Sequence, residues 1–120
     1  MEHLAILSKK AKLLDKIISG EKKIESRWYK FKKTPFGKVS KGDKIYFKES
    51  GEKVSVKAKV DRVLFFENLD DKKIKEIFLE YKEHLGVDES YLPNIVGKNY
   101  CTLIFLKNVE KIEPFGINKK

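Results

Sequence analysis

Cysteine, arginine, histidine, tryptophan and proline are all scarce in this 120-residue chain. With Cys101 as its one cysteine, no disulfide forms within the chain, which points to a reducing compartment, the cytoplasm. Cys101 lies in the apolar run 100–106, where a buried structural thiol is expected rather than a nucleophile. The two histidines, His3 and His84, stand far apart without ligand-spaced companions, so no metal site is expected. Gly-rich phosphate loops and serine-nucleophile elbows are absent, and no cofactor is expected. No apolar run approaches the roughly 18 residues of a membrane span, and no signal peptide is read. Internal repeats and linkers are also missing, and the length suits one domain, 1–120.

Lysine is what the chain has in excess. Of 27 basic residues only Arg27 and Arg62 are arginine, against 18 acids, for a net charge of +9. A lysine- and glutamate-heavy surface fits adaptation to heat. The distribution adds a second meaning. Residues 1–62 hold 18 basic and 8 acidic side chains (+10), whereas 63–120 hold 9 and 10 (−1). Such asymmetry predicts a surface facing a polyanion: RNA, DNA or a phosphorylated small molecule. Hydrophobic residues make up 41% of the chain and aromatics 12%, too many for a disordered chain.

Hydrophobic spacing predicts the elements. His3–Leu7 reads as an opening strand. Ser8 is a candidate N-cap for a helix over 9–19, closed by Gly20. A strand is expected over 23–29, a loop over 30–42 and a strand over 44–48, with 50–53 as a hairpin connection. Val54, Val56, Ala58 and Val60 alternate with Ser55, Lys57, Lys59 and Asp61, the period of a half-buried strand. Ile74, Ile77, Phe78, Tyr81 and Leu85 mark a helix over 70–85, ended by Gly86. Pro93 makes 88–98 ambiguous. Tyr100 to Val109 reads as a long strand, and Glu113–Ile117 as a closing turn. The order predicts an α+β fold: a small β-barrel of about five to six strands with two or three flanking helices.

Chemistry concentrates between Gly20 and Asp43. In a strand beginning at Lys23, Glu25 and Arg27 share one face, while Ile24 enters the core. A carboxylate bracketed by Lys22 and Arg27 is held in place and accepts a hydrogen bond from a base edge or an amide. Arg27 offers a planar fork to phosphate or nucleobase. Lys23 belongs to the same cluster. Trp28, Lys30, Lys32 and Lys33 continue it as aromatics interleaved with lysines, a pattern suited to stacking bases while neutralising phosphates. The acid-free loop from Lys33 to Lys41 suits a phosphate backbone equally. The competing readings are a structural ion-pair network and a solvated face.

Gly20, Lys22, Glu25 and Arg27 fill the pattern Gly-x-Lys-x-x-Glu-x-Arg, which resembles the signature of the ASCH family in the PUA-like superfamily. Gly42-Asp43 falls where that family turns into its next strand. The resemblance implies a PUA-like barrel whose cleft is lined by Lys22, Glu25 and Arg27, and an RNA- or nucleotide-like ligand. Some relatives hydrolyse the acetyl amide of N4-acetylcytidine, and nuclease activity also occurs. In the amidohydrolase branch the lysine corresponds to Lys22, but Glu25 occupies the place of the catalytic threonine. That branch also uses a helical carboxylate, for which Glu80, Glu83, Asp88 and Glu89 are the candidates. Three functions follow: an RNA- or nucleoside-binding module; a hydrolase or nuclease in which Lys22 polarises the scissile group and Glu25 moves protons; or a protein-interaction domain with a structural ion-pair cluster. The sequence does not distinguish oligomeric states, and no membrane partner is expected.

Overall fold

The computed structural model describes residues 1–32 and 37–117. In chain order it contains strand β1 (Glu2–Leu7), helix α1 (Leu13–Ser19), strands β2 (Ile24–Tyr29), β3 (Lys44–Glu49) and β4 (Val54–Phe66), helix α2 (Asp71–Leu85), a 3-10 helix (Glu89–Asn94) and strand β5 (Tyr100–Phe115). The five strands form one mixed sheet in the order β1-β3-β4-β5-β2. Only β1 and β3 run parallel; the other neighbours are antiparallel. The fold is α+β, as expected.

The closed barrel is not reached. β1 and β2 stand at the two ends of the sheet, and no ladder joins them among the described residues. A small cavity lies between them instead, lined by Ile6 and Leu7 of β1, Leu13 of α1, and Glu25 to Arg27 of β2. Register shifts at Val54/Val56, Lys57/Lys59 and Val60/Arg62 bulge the β4–β5 ladder, and bulges bend and twist a strand.

Two cores occupy opposite faces of β5. Ala5, Phe47, Val56, Val60 and Ile104 join Leu14 and Ile17 of α1 in the first. Ile24, Cys101 and Leu103 join Ile74, Phe78 and Leu85 of α2 in the second. Residues 101–104 are therefore buried on both sides, which explains why this strand reads as an unbroken apolar run. Cys101 is fully buried, and desolvation pushes its thiol well above the ordinary range. No helix among the described residues is long and apolar enough to cross a membrane.

Three boundaries differ from expectation. Ser8 accepts a bond from the Ala11 amide and makes a turn, and Lys12 is left-handed at φ 55°, so α1 starts at Leu13 rather than near residue 9. Residues 88–98 resolve into a 3-10 helix capped by Asp88, whose side chain accepts from the Ser90 amide. Of the segment Glu113–Ile117 expected to turn, Glu113 to Phe115 continue β5, with Phe115 opposite Val54. β2 flanks β5 only over Tyr100–Phe105, so Pro114 has a free side to occupy, where a missing N–H costs nothing.

Candidate functional site

The site is built where α1, β2 and the end of α2 meet. Gly20 ends α1 at φ 87°, a left-handed position that suits glycine. The chain then reverses across the C-terminus of α2. The last carbonyls of a helix lack internal partners and carry partial negative charge. The reversing segment and Lys16 of α1 together supply donors to three carbonyls at this end. The Lys23 amide donates to His84 O at 2.7 Å, Lys22 Nζ to Leu85 O at 2.8 Å, and Lys16 Nζ to Gly86 O at 2.8 Å. Gly86 is left-handed at φ 74°, and a Cβ there would stand 3.0 Å from Lys22 Cβ.

Lys22 and Glu25 are each only 3% exposed. Besides Leu85 O, Lys22 Nζ donates to Ile24 O at 2.7 Å and faces Glu25 Oε1 at 3.5 Å. Its three protons are thereby committed. Burial lowers the Lys22 pKa from its ordinary value, with Glu25 opposing and Arg27 adding to the shift. The other Glu25 oxygen lies 3.2 Å from Arg27 Nη2. Glu25 and Arg27 do share a face of β2, opposite Ile104 and Thr102 of β5, while Ile24 enters the second core. Arg27 is about one-third exposed and is the one of the two cations that reaches solvent. Beside it, the buried Thr102 hydroxyl has no hydrogen-bond partner among the described residues.

Lys22, Glu25, Ser26 and Arg27 line a cavity of about 110 Å³ together with Ser8, Val87 and Tyr91. The last three also line a groove of about 470 Å³ with Lys10, Lys16, Asp88, Ser90 and Asn94. The two form one cleft: a narrow floor at Glu25 and a wider mouth between Lys10 and the 3-10 helix. Burial raises the pKa of Tyr91, opposed by the neighbouring Ser26 hydroxyl, so its phenol is a neutral donor at the neck of the cleft. Of the four helical carboxylates, Asp88 alone is among the residues lining this cleft, and its carboxylate is engaged by the Ser90 amide and hydroxyl. Glu89 pairs with Lys82, and Glu80 lines a separate groove.

The remaining sequence candidates scatter. Lys23 lines the groove with Glu80, Arg62 and Phe105 on the far side of β2. Trp28 packs against the second core, its indole N–H buried without a hydrogen-bond partner among the described residues. Lys30 and Lys32 are exposed past the end of β2, with Asn99 Nδ2 donating to Lys30 O at 3.0 Å. Lys33 lies outside the described residues. Tyr91, Lys10, Lys16 and Ser8 line the cleft without having been singled out. The only signal for them was that the motif's lysine had to end a loop against some neighbouring element.

No protein-family model matches the chain, and no curated protein matches it significantly. Solved structures do. An ASCH protein from Zymomonas mobilis superposes with a TM-score of 0.70 at 16% identity, covering 95% of this chain and 73% of that one. A tyrosine-to-phenylalanine variant of the same protein gives 0.73 at 16% identity, over 97% and 76%. The hypothetical protein PH0355 gives 0.58 at 21% identity, over 93% of this chain and all of the other. At these identities the likeness is one of architecture: the chain has the ASCH fold.

Proposed function

We propose that the cleft binds a nucleoside or nucleotide, free or presented by RNA, and does so without breaking a bond. The observation that carries this reading is the Glu25 carboxylate, buried at the cleft floor and fixed between Lys22 and Arg27. A fixed carboxylate with unused lone pairs accepts N–H groups from a base edge, and Arg27 offers donors beside it. Lys10 and Lys16 at the mouth suit a phosphate. The mouth also falls within the roughly 300–1,000 Å³ of small-molecule sites.

Calorimetric titration with cytidine, uridine and their monophosphates at low salt tests the reading. Saturable binding is expected, weakened roughly tenfold or more by Glu25→Gln, since a hydrogen bond to a charged group is lost. Absence of binding by any of the four overturns it.

One observation favours a hydrolase instead: burial lowers the Lys22 pKa, a property that catalytic lysines share. Against it, each Lys22 proton already has an acceptor and Glu25 stands where the amidohydrolase resemblance calls for threonine. Cytidine released from N4-acetylcytidine by the wild type, and not by Lys22→Ala, would establish the catalytic reading in place of the binding one.

A further inference from the structure

Among the described residues, no helix covers the outer face of the sheet at β3, β4 and the second half of β5. The buried residues of α1 join the core beneath it, and those of α2 join the other core. Across this face runs a row of lysines. Lys44 of β3 stands directly opposite Lys59 of β4, and Lys59 directly opposite Lys107 of β5. All three are exposed, on strands about 4.8 Å apart.

Like charges directly opposite each other destabilise a sheet. Of the three, only Lys107 has an acid within 4 Å among the described residues, Asp61 at 3.6 Å. Glu2 is across from Lys44 on β1 but forms no ion pair with it, and Glu110 is held by Lys57 at 3.3 Å. Lysines also appear on sheets to block exposed edges, but β4 is an interior strand. A groove of about 420 Å³ opens on the row, lined by Lys44, Lys57 and Lys59 with Asn108 to Glu110. In the next row Tyr46, opposite Lys57, meets the half-exposed Phe115 ring edge-on at 6.0 Å.

We propose that this face binds single-stranded RNA through its phosphate backbone, on a surface separate from the cleft. The Lys44 and Lys59 ammonium groups, which pair with no acid among the described residues, gain from phosphates the neutralisation that the fold withholds, and Lys107 adds a third charge beside them. Tyr46 and Phe115 supply aromatic surface beside them, as sheet faces that take unpaired bases do. An anionic membrane offers the charge but no bases to stack.

Binding of polyuridylate, followed by filter retention across a salt series, tests this. Replacing Lys44, Lys59 and Lys107 by glutamine is expected to weaken binding at least tenfold. It should also flatten the log affinity–log salt slope by about 2, at roughly 0.7 per lost phosphate contact on a single strand. The melting temperature of that variant should hold or rise, which separates lost contact from lost fold. Arginine at the same three positions should keep both affinity and slope. Uridine binding in the cleft should be unchanged by the glutamines. Failure of the cleft to bind cytidine, uridine or either monophosphate, with the slope change intact, would sink the cleft reading and leave this one standing. Wild-type affinity and slope in the glutamine variant overturn the proposal, as does equal binding of anionic lipid vesicles.

Discussion

The cleft and the outer sheet face handle positive charge in opposite ways. At the cleft, Lys22 is sealed from water and spends every proton on a carbonyl or a carboxylate, with Arg27 closing the far side of Glu25. On the outer face Lys44 and Lys59 confront each other across the ladder with no acid within 4 Å among the described residues. Burying charge is tolerable only when each donor is satisfied, so the cleft is geometrically fixed before any ligand arrives. The outer face leaves its charges to water, which tolerates them at a small cost and leaves them free for a polyanion. The sequence shows the same residue type in both places; only the third dimension separates a buried, fully bonded lysine from an exposed one.

The contrast is broken most severely at Glu25. Glu25→Leu leaves the Lys22 ammonium buried without its carboxylate and should cost about 3–5 kcal/mol, the cost of removing one partner of a buried pair. Urea unfolding measures it. The double variant Lys22→Met/Glu25→Leu should recover only part of the loss. Replacing a buried pair by apolar groups is often neutral, but Leu85 O and Ile24 O lose their donor in this case. A Glu25→Leu midpoint equal to wild type would mean that the pair is not buried in solution.

Next in size is Gly86→Ala. Its left-handed φ alone costs about 1–2 kcal/mol for an L side chain, and the new methyl would press on Lys22 Cβ. Gly51→Ala in the β3–β4 hairpin is the control, with φ 80° but open space around it. The Gly86 variant should lose about 1 kcal/mol more than the control, and should bind nucleoside less tightly because Lys22 is displaced. Equal losses would mean that Lys22 moves aside freely.

These two positions also show where sequence reading succeeded and stopped. Period-two alternation was enough to put Glu25 and Arg27 on one face of β2 and Ile24 in the core, because a strand leaves its side chains no other choice. The glycine stops at Gly20 and Gly86 were legible for the same local reason. The acceptor of Lys22 on Leu85 is 63 residues away, and nothing in either segment announces the other. Trp28 read equally as a core filler or a stacking plate, because aromatics between lysines look the same whether they face a ligand or a core; its packing against the second core depends on α2. The β5 strand outran its expected end because Pro114 breaks a strand only where a hydrogen-bonding neighbour is present. The lysine row was invisible because it is made by the registers of three strands, bulges included.

Asp43, beside Lys44, offers a milder test of the same idea: an acid whose partners are complete. Its carboxylate lies 2.9 Å from His3 Nε2 and accepts from the Ser40 amide at 2.9 Å, with the chain's amino terminus at 3.3 Å. The His3 contact first, and then the Ser40 amide, lower its pKa from 3.8 to about 2. A pKa depressed by folding contributes stability that is present above the unfolded value and lost as pH falls through the folded one. Unfolding followed between about pH 4 and pH 2 should show this loss in the wild type. Asp43→Asn should be less stable at neutral pH and flatter across that window. An unchanged acid limb would mean that the carboxylate is not held as described.

The smallest effect has the opposite sign. Lys59→Gln removes the charge shared by both pairs of the row, and should raise stability by about 0.2–1 kcal/mol, the scale of one cross-strand pair. The gain should shrink as salt is added, since exposed charges about 5 Å apart are screened at high ionic strength. Lys57→Gln, which breaks the ion pair with Glu110, should bring no such gain. If Lys59→Gln destabilises the protein at low salt, the row contributes to the fold through its packed methylene stems, and the case for a charge kept for an RNA backbone loses its physical basis.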